Sequence, residues 1–291
     1  MKSNSAIILP LKEVFSNKGF GAVSIWVKDY IQNSKNYNDI IFCKKLPKNY
    51  KYLTKNINPI NVTSKIYTNK KYIELINIEI KKKKIKYVEI HNRPEYASYL
   101  IQSNPDLKVN LIFHNNPNKL RLSNTPAYKN FLLNNCNKIV FVSNWVKNQF
   151  FSDLNIIHKN NTQVIYNFIN PIKKFPKKTK TIIFSGKLNK SKGFHIFGET
   201  IIKILEKFSD WNAVVYGNEQ RETFTFKHKR LKIYNWIDHK KLLKIYEKCS
   251  ISVVNPTWEE PFGRTALECA SRGCAVITSK SGGLSETFKN N

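Results

Sequence analysis

The 291-residue sequence has no run of roughly 18 apolar residues, the length a membrane-crossing helix needs. No such helix is expected. Its start carries a single lysine and a short apolar run, Ala6–Pro10, too short for a secretory leader. Cysteine is scarce. Cys43, Cys136, Cys249, Cys269 and Cys274 are odd in number and form no Cys-x-x-Cys pair. Buried free thiols in a reducing cytoplasm fit this better than a disulfide framework or a zinc site. There is no Asp-x-Asp dyad, and no two of the six histidines stand at metal-ligand spacing, so neither a metal nor another cofactor is expected. No internal repeat of short period and no low-complexity tail is visible.

Acidic residues are the largest deficit. Asp and Glu number 20 against 49 Lys and Arg, a formal net charge of +29. One reading is compositional drift, since the chain is rich in Lys, Asn and Ile. The other is an anionic partner: nucleic acid, an acidic membrane surface or phosphorylated substrates. The lysines are spread along the chain, which favours drift, with some membrane attraction added. The densest run, Lys81–Lys84, closes a stretch in which Ile73, Ile76 and Ile80 share a helix face. Cations at a helix C-terminus complement its dipole, so that run has a structural reason.

What is present is a regular alternation. Ala6–Leu9 reads as a strand, followed by the glycine loop Lys18-Gly19-Phe20-Gly21 and a helix through Val23, Trp26, Val27 and Tyr30. Strands Val88–Ile90, Val109–Phe113, Lys138–Val142 and Val164–Tyr166 end at His91, His114, Ser143 and Asn167, and a helix runs through Trp145, Val146 and Phe150. Asn170–Lys180, with two prolines and five lysines, reads as a linker. A second set follows: strand Thr181–Ser185, helix Phe194–Phe208, strands Ala213–Tyr216 and Leu231–Tyr234, and helix His239–Lys248. It continues with strand Ile251–Val254, helix Thr265–Arg272, strand Ala275–Thr278 and the pair Gly282-Gly283. This grammar predicts an α/β protein of two Rossmann-like, doubly wound domains, 1–170 and 181–291, joined by the linker 171–180. Strand ends of such sheets face a cleft, where ligands bind.

The most informative segment is Asn-Pro-Thr-Trp-Glu-Glu-Pro-Phe-Gly-Arg-Thr-Ala-Leu-Glu, residues 255–268. If a helix starts near Arg264, its first N–H groups make an anion site suited to a pyrophosphate. Glu268 then lies about a turn inside the helix, where its carboxylate can accept two hydrogen bonds from a diol such as ribose. Glu260, ahead of the helix, can do the same for sugar hydroxyls. Each glutamate alone has a plainer explanation: Glu260 as a helix-start acid and Glu268 as a solvated one.

Taken together, Glu260-x7-Glu268, the run Cys269–Ile277 and Gly282-Gly283-Leu284-Ser285-Glu286 resemble the donor-site signature of the GT-B, family-4 glycosyltransferases. Phe184–Leu188 and Lys190–Gly193 resemble that family's phosphate-binding segment. Val140–Ser143 and Val164–Asn167 resemble the stretches that close its first domain. The likeness is strong over residues 138–291 and mostly positional before that.

The resemblance implies a retaining transfer of a sugar from a nucleotide-sugar donor, in the cleft between the domains. Glu260 would hold the donor sugar and Glu268 the ribose. Lys187 and Lys192 would neutralise the diphosphate, and backbone N–H groups around Phe262 and Gly263 would add to that site. Gly19 and Gly21 would admit the donor phosphates to the first loop. His114 resembles the histidine facing the reacting sugar, and His91 is a second candidate. The acceptor class implied is a glycan, a lipid-linked glycan or a lipopolysaccharide intermediate. The implied location is the cytoplasm, peripheral to the inner face of the plasma membrane.

Two departures stand out. Lys187 replaces the family's usual Arg, a point charge in place of a bidentate fork. The family's elements beyond the Gly-Gly segment are also missing, so the second domain is expected to be incomplete. The rival readings are an inactive GT-B relative serving as a scaffold or subunit, a sugar phosphorylase or synthase on the same fold, and a basic nucleic-acid-binding protein. The last would need a recognisable module or a basic stripe interleaved with aromatics. The 14 Tyr and 18 Phe fall mostly at core positions, so no nucleic-acid partner is expected.

Overall fold

The structure is a computed structural model that describes residues 4–16, 21–34, 38–62, 68–156 and 158–288. The chain divides into two compact units, Met1–Tyr166 and Asn167–Asn291.

The first unit is built on β1 (Ser5–Ile8), β2 (Ile40–Lys44), β3 (Ile57–Ile60), β4 (Tyr87–His91), β5 (Lys108–Phe113), β6 (Lys138–Phe141) and β7 (Thr162–Val164). These form one parallel sheet in the order β3-β2-β1-β4-β5-β6-β7. The strands are near-continuous Ile, Val, Leu and Phe runs because both sheet faces are covered. Leu111, Ile112 and Phe113 are all buried. The helices are α1 (Ala22–Asn33), α2 (Asn69–Lys83), α3 (Pro94–Ser103), α4 (Pro126–Asn135) and α5 (Asn144–Phe151). In α2, Ile73, Ile76 and Ile80 are buried together, Thr68 caps the start, and Lys81–Lys83 occupy the last turn, as their spacing predicts.

The structure adds elements that the sequence reading does not name: β2, β3, α3 and α4. Strand β3 contains Pro59 and sits at the sheet edge, where a missing N–H costs no ladder bond. Both added helices begin at a proline, which is pre-organised for a first helical position.

The second unit has a five-stranded parallel sheet, β10-β9-β8-β11-β12. Its strands are β8 (Thr179–Ser185), β9 (Asn212–Tyr216), β10 (Leu231–Tyr234), β11 (Cys249–Val254) and β12 (Ala275–Thr278). Helix α6 (Phe194–Lys207) packs Phe194, Phe197, Ile201 and Leu205 on one cluster with Ile182, Phe184, Ala213 and Val215. Helices α7 (His239–Lys248) and α8 (Arg264–Ser271) contribute Leu242, Tyr246 and Cys269 to another, around Ile183. Beside α6, an apolar cavity of about 480 Å³ is lined by Ile196, Ile204, Phe208, Trp211, Val253 and Ile277 among others.

The division between the units falls between Tyr166 and Asn167. The segment expected to act as a linker is bonded to the second unit. Arg272 donates to the carbonyl of Asn170 at 2.8 Å, and Lys178 donates to the carbonyls of Arg272 and Tyr246 at 2.6 and 3.1 Å. The five cysteines are buried free thiols. No helix among the described residues is long and apolar enough to cross a membrane.

Candidate functional site

In each sheet the strand order reverses once: beside β1 and β4 in the first unit, beside β8 and β11 in the second. Loops leaving adjacent strands diverge at such a point and open a binding crevice at the carboxyl ends.

In the second unit the loop after β8 carries Gly186, Lys187 and a 3₁₀ turn, Lys190–Lys192. The Asn189 side chain caps that turn by accepting from the Lys192 N–H at 3.0 Å. Gly193 follows with φ +75°, and a Cβ there would lie 2.0 Å from the Asn255 carbonyl oxygen. Only glycine fits this left-handed conformation and close approach. The two loops are stitched together: Asn255 donates to the Gly193 carbonyl at 3.1 Å, and the Thr257 N–H to the Ser191 carbonyl at 3.0 Å.

That stitching brings Lys192 to Glu260. Lys192 Nζ lies 2.6 Å from Glu260 Oε2, which also accepts from the Trp258 indole N–H at 3.0 Å. The Lys192 ammonium sits 5.0 Å from the Trp258 ring centroid, within cation–π range. The Glu260 backbone is held as well, its carbonyl accepting from the Gly283 N–H at 2.8 Å. Phe262 is buried and its carbonyl accepts from Thr287 at 2.6 Å. Gly263, at φ +93°, starts α8 without a side-chain cap, and a Cβ there would meet Leu284 at 2.2 Å. The signature Gly-Gly segment is therefore the floor on which the Glu260–Gly263 loop rests.

Glu268 faces inward. It is 5% exposed, which removes the reading of a solvated acid. Its Oε1 accepts from His239 Nε2 and from Arg264 Nε, each at 2.9 Å. Burial pushes the carboxyl pKa up, but the His239 hydrogen bond, the neighbouring charges and the Arg264 hydrogen bond outweigh it and hold it below the ordinary value. Lys187 has a different setting. It lines a cavity of about 320 Å³ with Asn218, Glu219, Gln220, Arg221 and Trp236.

In the first unit β4 ends at His91, and β5 ends one residue before His114. Parallel pairing sets His91 opposite Ile112. Asn92, at φ +54°, accepts from the backbone N–H groups of His114 and Asn115 at 2.8 and 3.1 Å. The two rings are bonded, with His91 Nδ1 2.8 Å from His114 Nε2. Gly19 lies outside the described residues. Gly21 is the N-cap of α1, and a Cβ there would fall 2.6 Å from Glu13 Oε2. The Glu13 carboxylate accepts from the Ser24 N–H and hydroxyl at 3.3 and 2.8 Å. The α1 start next to Gly21 thus holds a carboxylate of the chain itself.

Of the residues singled out in the sequence, the second unit joins Lys192 to Glu260 on the loop that also bears Phe262 and Gly263. Sequence reasoning missed Trp258, His239, Arg264, Asn92 and Glu89, whose Oε1 lies 3.0 Å from His91 Nε2. Trp258 stands within the signature stretch, but nothing local marks it as a partner of Glu260. His239 lies 29 residues from Glu268 with no spacing to suggest the contact. Among the described residues no three His, Cys, Asp or Glu side chains are grouped as metal ligands.

The chain has the GT-B fold, and residues 166–291 match the family model "Glycosyl transferases group 1". The match takes in the whole of the second unit. A glycosyltransferase from Rickettsia africae superposes with a TM-score of 0.70 at 19% identity, over 98% of this chain and 82% of that one. HepE of Anabaena, solved with UDP-glucose, gives 0.68 at 14% identity, over 98% and 83%. Among curated proteins, spore coat protein SA of Bacillus subtilis is 23% identical over 254 residues, 75% of this chain and 66% of that protein. The chain thus spans just under two thirds of the length of that relative.

Proposed function

We propose that this chain is a retaining glycosyltransferase of the family-4 type, moving a sugar from a nucleotide-sugar donor to a glycan, lipid-linked or lipopolysaccharide acceptor. The observation that carries the reading is the Lys192–Glu260–Trp258 cluster beside the uncapped start of α8. It brings together a cation for a diphosphate, a carboxylate for sugar hydroxyls and a helix N-terminus on two adjoining loops. Glu268, kept ionised and inward-facing, supplies the acceptor for ribose hydroxyls. The match of the second unit to the group 1 model and the UDP-glucose bound by HepE support the same assignment.

The chemistry follows from charge. Cleaving the donor's glycosidic bond leaves negative charge on the diphosphate, and Lys192, with Lys187, stabilises that charge as it grows. Glu260 holds the sugar and His114 faces it. Retention requires the acceptor to attack from the side the nucleotide leaves. The reaction calls on no metal or other cofactor, and the high net charge draws the protein to the anionic inner face of the plasma membrane.

The test is to incubate the protein with a panel of nucleotide sugars, UDP-glucose first, and to follow nucleotide diphosphate release and the anomeric configuration of the product. Release from at least one donor, abolished in Glu260→Gln, is the expected result. No binding of any nucleotide sugar or nucleotide diphosphate would overturn the assignment. Binding without turnover would point to the inactive relative.

A further inference from the structure

Glu260 is held through one of its two oxygens. Lys192 Nζ at 2.6 Å and the Trp258 indole N–H at 3.0 Å both donate to Oε2. Among the described residues, nothing donates to Oε1. An ionised carboxylate only accepts, with about two lone-pair sites on each oxygen. Those of Oε2 are filled and those of Oε1 are open. The side chain keeps 18% of its surface exposed, and Oε1 lies at that surface.

The two donors differ in kind. Lysine carries its ammonium on a flexible four-carbon stem, so Lys192 can swing toward an arriving diphosphate. Indole is a rigid plane with one donor and no acceptor. The loop that bears Trp258 is anchored at the preceding residue. The Thr257 N–H donates to the Ser191 carbonyl at 3.0 Å and its hydroxyl to the Lys190 carbonyl at 2.9 Å. The Lys192 ammonium stands over the Trp258 ring, 5.0 Å from its centroid. A tryptophan that serves only the core buries its rings. Trp258 leaves 39% of its surface exposed, while its one polar atom is bonded to a carboxylate two residues on.

We propose that Trp258 is a positioning residue that holds Glu260 by Oε2 and so presents Oε1 to the ligand, a hydroxyl of the donor's sugar. Trp258 keeps the carboxylate in place when a diphosphate draws Lys192 away. The sugar then meets one oxygen of Glu260 in place of a two-oxygen clasp. The assignment of the ligand rests on the donor-site reading given above; the hold on Oε2 does not.

Proton–nitrogen correlation spectra of the full chain carry one indole signal for each of its five tryptophans, and Trp258→Phe identifies that of Trp258 by its loss. In the parent this proton should lie downfield, and in Glu260→Ala it should move to the position of a water-bonded indole. Trp258→Phe keeps an aromatic ring under the Lys192 ammonium and removes the N–H. Its affinity for UDP should stay within about twofold of the parent, since the cation–π contact survives. Turnover of UDP-glucose, or of the donor that the panel above identifies, should fall about tenfold, as for the loss of a charge-assisted hydrogen bond. An indole signal unaltered in Glu260→Ala overturns the proposal. So does full turnover in Trp258→Phe, or a loss of UDP affinity as large as the loss of turnover, which would make Trp258 a prop for the whole loop. Should Trp258→Phe not fold, Trp258→His identifies the signal and the Glu260→Ala shift decides. If the parent neither binds nor turns over any donor of the panel, the donor reading falls and the sugar contact with it, while the indole shift still decides the hold on Oε2.

Discussion

Lys192 and Glu260, 68 positions apart in sequence, form a partly buried ion pair with Nζ 2.6 Å from Oε2. An ammonium has three donors. One is committed to Glu260, so the pair can orient Lys192 and still leave it able to meet a diphosphate. The pairing also means that substitutions at the two positions act in opposite senses on a bound anion.

Lys192→Ala is therefore expected to weaken binding of a free nucleotide diphosphate about ten- to a hundredfold, the loss of a charge-assisted contact worth about 1.5–3 kcal/mol. Glu260→Gln removes the competing anion and should leave nucleotide diphosphate binding equal to the parent or tighter, while depressing turnover of the intact nucleotide sugar. Calorimetric titration of both variants with both ligands checks this. Equal weakening of nucleotide diphosphate binding by both substitutions contradicts it.

Gly193→Ala tests the stitching of the two loops. A non-glycine residue at this positive φ costs about 1–3 kcal/mol, and the added methyl collides with the Asn255 carbonyl. Chemical denaturation should show lowered stability of the second unit. Nucleotide diphosphate affinity should drop in the folded fraction, because Lys192 is the neighbouring residue. Unchanged affinity would mean that the turn does not place the lysine.

Glu268 makes stability depend on pH. Its folded-state pKa lies below the ordinary value, so the carboxylate's contribution is complete above the ordinary carboxyl range and is lost as pH falls through the lowered one. The Tm difference between the parent and Glu268→Gln should shrink as pH falls from about 5 to about 3. A gap that widens on acidification would show that burial outweighs His239 and Arg264.

In the first unit Lys129 is fully buried. Its ammonium bonds to Asp153 and, at 2.6 Å, to Asn118, with the Phe150 ring centroid 5.7 Å away. Asp153→Ala strands that charge and should cost about 1.5–3 kcal/mol by urea denaturation. Lys129→Met, which removes the charge and keeps the volume, should cost less. The reverse order would show that the ammonium is solvated in practice.

The excess of Lys predicts sedimentation with acidic liposomes that declines as salt rises, and little sedimentation with neutral ones. Equal binding to both, or none to either at low salt, would leave the charge to composition alone.

Much of this fold is legible in the chain because its causes are local. The Val- and Ile-rich runs of β5 and β8 and the apolar faces of α2 and α6 report burial through their periodicity. Helix α7 and strand β12 stand at the bounds read from sequence. Strand β3, the tetrapeptide Ile-Asn-Pro-Ile, carries no such signal, since it depends on β2 already lying beside it. Glu260, Gly263 and Glu268 in the 255–268 segment stand out by residue type and spacing alone. Their partners were decided elsewhere. Parallel strands set side by side residues that are far apart in sequence, so the ends of β4 and β5 bond His91 to His114 and the ends of β8 and β11 bond Lys192 to Glu260. Whether Glu268 is solvated or buried against His239 is settled by the packing of α7 on α8, a contact that no spacing within either helix encodes.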